Sequence, residues 1–211
     1  MPTEFWLNDY MFTVSDFISS KECDTHIAIS EEIGFEEALV TTERGAIRAA
    51  DLRNNDRVMF KSEEIANWLW GLAEEFVPVE FEGRRAVGIN ELIRFYRYDV
   101  NQQFKWHQDF PYERDNGQKS YLTLLIYLND AFEGGETLFD DSCSEESFDD
   151  VVVIPQPGMA LFFEHSTYHK GEVVTEGTKY VMRTDVMYSA LEEEPDEDGF
   201  YFESDDADNW D

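Results

Sequence analysis

The run Phe104-Lys105-Trp106-His107-Gln108-Asp109 sets an imidazole and a carboxylate two positions apart. In an extended strand, residues i and i+2 project from the same face. His107 and Asp109 would therefore point together into an interior. A neutral imidazole beside a hard carboxylate suits Fe(II), which takes nitrogen donors and needs charge compensation. A third ligand must come from elsewhere in the chain. The histidines are His26, His107, His165 and His169. His26 falls in a region that reads as helical and surface-facing, so the choice lies between His165 and His169. Two His and one Asp occupy one face of an octahedron and leave three positions, enough for a bidentate co-substrate and dioxygen. A closed structural zinc site leaves none.

A second constellation lies in 177–188. Lys179, Val181 and Arg183 would share one face of a strand. A cation on an interior wall is costly unless an anion meets it. The distal carboxylate of a dicarboxylate held at the metal would serve, and so would a neighbouring Asp or Glu. Lys179 and Arg183 are thus candidate co-substrate residues. Tyr98, on a face with Tyr96 and Arg94, and Tyr127, on a face with Thr123 and Leu125, would add phenol rings and hydroxyls to the same wall, or serve as core tyrosines. Trp106 and Gln108 point the other way and read as packing residues. Asn54, Asn55 and Arg57 form a polar run that either contacts substrate at the site mouth or is a solvent loop.

These residues need strands and a frame. The apolar spacing of Phe17, Ile18, Cys23, Ile27 and Ile33 predicts a helical segment over 12–40, capped by Ser15 or Asp16. Ser62 followed by two glutamates predicts a second helix over 62–76, with Ile65, Leu69, Leu72 and Phe76 on its apolar stripe. From about residue 86 short strands are expected at 88–99, 104–109, 120–128, 136–140, 151–154, 159–164, 171–174 and 178–188, separated by Gly, Pro, Asn and Asp turns. The expected fold is mainly β with flanking helices (α+β), a jelly-roll core with N-terminal helices packed outside. One domain would span 1–190, helical over 1–85 and jelly-roll over 86–190. An acidic tail over 191–211 reads as disordered, and the acidic segment 140–150 as exposed.

Composition narrows the function. A chain of 211 residues can build one sizeable core. Its 47 acids against 16 bases give a net charge of −31. Such a surface repels phosphate backbones and anionic membranes, which disfavours both as partners, and it attracts basic ones. No stretch is apolar enough to span a bilayer. The early acids of the N-terminus do not resemble a secretory signal, so a cytoplasmic location is expected. Cys23 and Cys143 are too few for a disulfide framework and read as free thiols.

The segments RFYRYDVNQQFKWHQD, LTLLIYLND, FEGGETLF, PGMALFFEH and YHKGEVVTEGTKYVMRTDVMY together resemble the prolyl 4-hydroxylase branch of the 2-oxoglutarate/Fe(II) dioxygenases over residues 88–188. The resemblance implies a double-stranded β-helix that uses Fe(II), 2-oxoglutarate and O₂, with ascorbate supporting activity. It implies that His107 and Asp109 are the HxD iron ligands and that His169, not His165, is the third. Lys179 would grip the distal carboxylate of 2-oxoglutarate, and Tyr98, Tyr127 and Thr123 would line that pocket. The implied reaction is hydroxylation of an unactivated C–H bond with release of succinate and CO₂, on a prolyl residue of a protein or peptide. Hydroxylation of a small molecule, or a silent jelly-roll module that binds a basic partner, are the alternatives. Two departures bear on the substrate. The segment before HxD is Asp-Val-Asn-Gln-Gln rather than Gly-rich, and 52–58 does not match the collagen-type enzymes.

Overall fold

The computed structural model describes residues 2–8, 11–42, 45–47, 49–140 and 151–191. In chain order the elements are β1 (Thr3–Asn8), β2 (Met11–Ser15), α1 (Ser20–Ile33), β3 (Glu36–Glu37), β4 (Val40–Thr42), β5 (Gly45–Ile47), β6 (Asp56–Lys61), α2 (Glu63–Ala73), β7 (Glu80–Phe81), β8 (Arg84–Ile89), β9 (Leu92–Tyr98), β10 (Phe104–His107), β11 (Lys119–Tyr127), β12 (Phe132–Gly134), β13 (Thr137–Phe139), β14 (Val151–Val153), β15 (Ala160–Glu164), β16 (His169–Gly171), β17 (Val174–Gly177) and β18 (Lys179–Tyr188). The larger sheet runs β1-β2-β15-β11-β18-β9-β6-β3, with β8 also on β18, and the smaller runs β10-β16-β13-β14. This is the mainly β, jelly-roll architecture expected. The expectations for Cys143, the rest of the acidic loop after Asp140 and the tail after Leu191 lie outside the described residues.

The central strands are apolar on both faces, and the packing explains why. Leu122, Leu124, Ile126, Phe162 and Met182 enter one cluster with Cys23 of α1 and Leu69 of α2. Their alternates Tyr127, Leu161, Phe163 and Val181 enter a second cluster with Phe139 and Val153 of the smaller sheet. Helices cover one face of the larger sheet and the smaller sheet covers the other, so these strands read as continuous apolar runs. Phe162 and Phe163 are both fully buried, one into each cluster. Each contributes about 1.5–3 kcal/mol of transfer free energy.

α2 begins where expected. Ser62 accepts a hydrogen bond from the Ile65 amide at 3.2 Å, and Glu63 and Glu64 lie in the first turn, at the positive end of the helix dipole. The helical segment expected over 12–40 is corrected. Residues 11–15 are a strand, the chain turns at Asp16 with φ 54°, and the helix begins at Ser20. Its cap is Ser19, not Ser15 or Asp16. Ser19 Oγ accepts from the Glu22 amide at 3.3 Å while Glu22 Oε2 accepts from the Ser19 amide at 2.7 Å, a reciprocal box that outcompetes any earlier start. Phe17 and Ile18, which extended the apolar spacing, are buried in the turn. His26 is also corrected. It is 8 % exposed, with its ring centroid 5.2 Å from that of Trp68 and 6.0 Å from that of Phe95. The strand expected over 88–99 divides into β8 and β9 around Asn90, whose side chain donates to Asp185 Oδ2 at 3.0 Å and accepts from the Leu92 amide at 3.1 Å.

Candidate metal centre and pocket

β10 and β16 pair antiparallel with His107 directly opposite His169. The register of two strands thus sets the spacing of the imidazoles, whose centroids lie 4.2 Å apart. β10 ends at His107, so Asp109 is not the next same-face residue of a strand as the sequence suggested. The main chain brings it back, because the Asp109 amide donates to the His165 carbonyl at 3.0 Å. Asp109 Oδ1 then lies 4.0 Å from His107 Nε2, and Oδ2 lies 3.9 Å from His169 Nε2. One donor atom from each of the three residues falls within 4.8 Å of the others. Among the described residues this is the group so placed.

The protonation of the three fits a metal. His107 Nδ1 lies 2.7 Å from the Lys105 carbonyl and His169 Nδ1 lies 2.9 Å from the Thr167 carbonyl. A carbonyl only accepts, so each Nδ1 carries the proton and each Nε2 keeps a lone pair. Ligating histidines commonly donate their other nitrogen to a backbone carbonyl in this way. Burial, with His169 facing it, pushes His107 down to about 3. Burial lowers His169 as well. Burial alone would raise the Asp109 carboxyl, but Arg183, His169 and His107 hold it well below the usual range. Neutral imidazoles and an ionised carboxylate are the forms that bind a cation. The donor set, two imidazoles and one carboxylate on one side of a pocket, fits Fe(II).

A pocket open to solvent lies beside these residues, between the two sheets. Tyr98, Lys179 and Arg183 of the larger sheet and Phe104, His107 and His169 of the smaller sheet contribute to its lining. Lys179 is 4 % exposed, and its Nζ donates to the Gly135 carbonyl at 2.6 Å. Nζ also lies 5.4 Å and 5.3 Å from the ring centroids of Tyr98 and Tyr127. It makes no ion pair among the described residues. Burial brings it down to about 7, opposed only in part by the field of Glu136. Gly135 sits at φ +70°, where a Cβ would lie 3.2 Å from Lys179 Cδ. A bare backbone is what lets that carbonyl reach the ammonium.

Arg183 behaves differently. Its Nη2 lies 2.9 Å from Asp109 Oδ2 and 3.4 Å from Asp185 Oδ1. Pairing with a neighbouring acid, which the sequence left open for both cations, holds for Arg183 and not for Lys179. Thr123 donates to Asp109 Oδ2 at 2.6 Å. The Tyr127 hydroxyl is 2.7 Å from Thr137 Oγ1. Burial raises Tyr98 to about 12, which keeps its hydroxyl protonated. Trp106 turns outward and stacks on Tyr168 with centroids 5.4 Å apart.

The structure does not bring Asn54, Asn55 or Arg57 to the pocket lining. Asn54 ties two loops together, donating to the Asn101 carbonyl at 3.1 Å and accepting from the Gln103 amide at 2.8 Å. Asn55 is buried and accepts from Arg53 Nε at 2.6 Å, and Arg57 donates to the Leu39 carbonyl at 3.1 Å. Phe104 and Tyr96 of the pocket lining, and Arg53 packed against both, had escaped sequence reasoning. Phe104 stacks on His107 with centroids 3.5 Å apart. The buried Arg53 guanidinium lies 4.4 Å from the ring centroids of both Tyr96 and Phe104. Burial alone would raise the Tyr96 hydroxyl, but Arg183, Arg53 and Arg94 bring it down to about 8. Phe104 was marked by its place at the start of the ligand strand, whereas nothing local marks Arg53.

Residues 93–184 match the family model of the 2OG-Fe(II) oxygenase superfamily. Prolyl 4-hydroxylase 1 of Arabidopsis thaliana is 26% identical over 162 residues, covering 72% of this chain and 56% of that protein. The chain spans less than two-thirds of the length of the curated relatives it matches. Among solved structures, the viral collagen prolyl hydroxylase of Paramecium Bursaria Chlorella virus-1, a 2OG complex, superposes with a TM-score of 0.60 at 21% identity, covering 85% of this chain and 97% of the other. A Trichoplax adhaerens prolyl hydroxylase in complex with a hypoxia inducible factor peptide fragment gives a TM-score of 0.65 at 14% identity, covering 85% and 84%. At these identities the superpositions speak for the fold.

Proposed function

We propose that this chain, whose residues 93–184 match the 2OG-Fe(II) oxygenase superfamily and which is similar to prolyl 4-hydroxylases, is an oxygenase of that kind and hydroxylates an unactivated C–H bond, with a prolyl residue of a protein or peptide as the first candidate substrate. The observation that carries this reading is Lys179. A buried ammonium without an acid partner among the described residues, on the wall of the pocket lined by His107, Asp109 and His169, is a receptor for an anion such as the distal carboxylate of 2-oxoglutarate. The relatives' names support the prolyl substrate.

Fe(II) with 2-oxoglutarate and O₂ supplies the oxidising chemistry, with succinate and CO₂ as co-products. His107, Asp109 and His169 would hold the metal through Nε2, a carboxylate oxygen and Nε2. Lys179 Nζ would bind the distal carboxylate, with the Tyr98 ring and hydroxyl bounding the same space. Phe104 and Phe163 contribute apolar surface to the pocket lining. Asp109 fills the carboxylate position of the triad, which favours hydroxylation over halogenation.

The test is succinate formation from 2-oxoglutarate under air with Fe(II) and ascorbate, for wild type, His107→Ala and Lys179→Ala. Proline-containing peptides and free amino acids are supplied in parallel, and products are read by mass spectrometry. Succinate from wild type alone, raised by a peptide that gains one oxygen, is the expected result. Stimulation by a free amino acid instead would make this a small-molecule hydroxylase. Absence of both 2-oxoglutarate binding and metal binding in wild type would remove the reading altogether.

A further inference from the structure

His165 loses the role of metal ligand to His169, yet it is 4 % exposed and both its ring nitrogens are engaged. The order of donors around it can be worked out atom by atom. The Thr123 hydroxyl has one proton, and the carboxylate at 2.6 Å can only accept it. Toward His165 Nδ1, 2.9 Å away, the Thr123 oxygen must then act as acceptor. The imidazole proton therefore sits on Nδ1. Nε2 accepts from Ser120 Oγ at 2.9 Å, and Ser120 Oγ accepts in turn from the Tyr112 amide at 2.8 Å. The file runs in one direction, from Tyr112 through Ser120, His165 and Thr123 to Asp109 Oδ2. The same residue also holds the Asp109 main chain, through its carbonyl.

We propose that His165 is a positioning residue for the metal site: its imidazole, held as the Nδ1–H tautomer, aims the Thr123 hydroxyl at Asp109 Oδ2 and so leaves Oδ1, which faces His107, for the metal. Arg183 Nη2 meets the same Oδ2 at 2.9 Å, beside the Thr123 hydroxyl, from which it lies 3.4 Å away. With two donors on Oδ2, which also lies 3.9 Å from His169 Nε2, the carboxylate is fixed in rotation and would offer Oδ1 to a metal. A histidine that merely filled space would not need a direction in its hydrogen bonds. Ser120, His165 and Thr123 carry that direction on three buried side chains. The proposal rests on Asp109 being a metal ligand, so the experiment measures that separately.

The experiment is Co(II) titration of the full chain, followed by visible absorption and by competition with a chelating indicator. The variants are Asp109→Ala, Thr123→Val, His165→Leu, His165→Asn and the double variant Thr123→Val/His165→Leu, each checked for fold by circular dichroism. Outer hydrogen-bond partners of metal ligands typically change affinity by about 10–100-fold. Thr123→Val and His165→Leu are each expected to weaken Co(II) binding by that order and to alter its absorption band, because the carboxylate is free to turn. The double variant should be no weaker than the worse single one, since both act through one hydrogen bond. His165→Asn, whose amide can donate to Thr123, should recover most of the affinity. Thr123→Val is near-isosteric and carries the test if His165→Leu does not fold. Wild-type affinity in Thr123→Val or His165→Leu, beside a weakened Asp109→Ala, overturns the proposal and leaves the metal site standing. Fully additive losses, or no recovery in His165→Asn, also overturn it. An unaffected Asp109→Ala removes the metal reading and the proposal together.

Discussion

Two cations face the pocket, and only one awaits a ligand. Arg183 is neutralised by Asp109 and Asp185, while Lys179 has a carbonyl and two aromatic rings. Lys179→Met should weaken 2-oxoglutarate binding by roughly 2–5 kcal/mol, the range for truncating one partner of a buried charged pair. Anaerobic calorimetric titration would measure it. The low value of Lys179, about 7, predicts a pH dependence. The ammonium must be charged to receive a carboxylate, so affinity falls as pH rises above about 7, by up to about tenfold per unit. In Lys179→Arg the guanidinium keeps its charge and the fall should vanish. Stability of the ligand-free protein moves the other way. The unfolded lysine binds a proton that the folded one has lost between about 7 and the ordinary 10.5, so this group's contribution rises with pH across that window. Thermal melts from pH 7 to 9 would show it as a smaller deficit relative to Lys179→Met. At this scale the triad and Lys179 were legible, because ligand type and short spacing are local properties of a chain. That Arg183 spends its charge on Asp109 was not legible, since the pairing joins β18 to a residue just past β10.

Elements explain the misread regions. The start of α1 was present in the sequence as Ser19-x-x-Glu22, but the apolar Phe17 and Ile18 extended the helical spacing upstream. Those two residues serve the turn after β2, and an apolar period cannot tell a buried turn from a buried helix. Ser19→Ala should cost about 1 kcal/mol, readable in urea unfolding, with no effect on metal affinity because α1 lies on the far face of the larger sheet. His26 was misassigned for the same reason: helix α1 packs it toward Trp68, a partner from α2 that no local pattern reveals. Gly135→Ala is the sharper probe of an element. A side chain at φ +70° is strained and would crowd Lys179, Phe132 and Val174 at 3.1–3.2 Å. It should weaken 2-oxoglutarate binding more than Co(II) binding, a contrast visible by titrating each ligand separately.

At the scale of the molecule, charge and fold act on different steps. A net charge of −31 repels itself, and salt screens that repulsion. Melting temperature should rise between 20 and 200 mM NaCl by calorimetry (about those concentrations bracket a Debye length near 10 Å). The same field would draw in a basic proline-containing peptide, and the association rate of such a peptide should fall with added salt in stopped-flow measurements while that of a neutral one stays level. The two-sided burial of the larger sheet was foreshadowed by its uninterrupted apolar runs, whereas the strands of the first 61 residues were hidden among residues that also suit helices. The histidine pair across β10 and β16 has a further consequence. Because His107 and His169 are set opposite each other by a ladder, their distance is independent of how long the connections on either side are. Segments that join the strands can lengthen, shorten or change composition without disturbing it, whereas a slip of one strand by one residue would turn its ring away from the other. Natural variation can therefore alter the connecting segments while the spacing of the two imidazoles is inherited unchanged, and a library randomised at 113–118 should keep its Co(II) affinity.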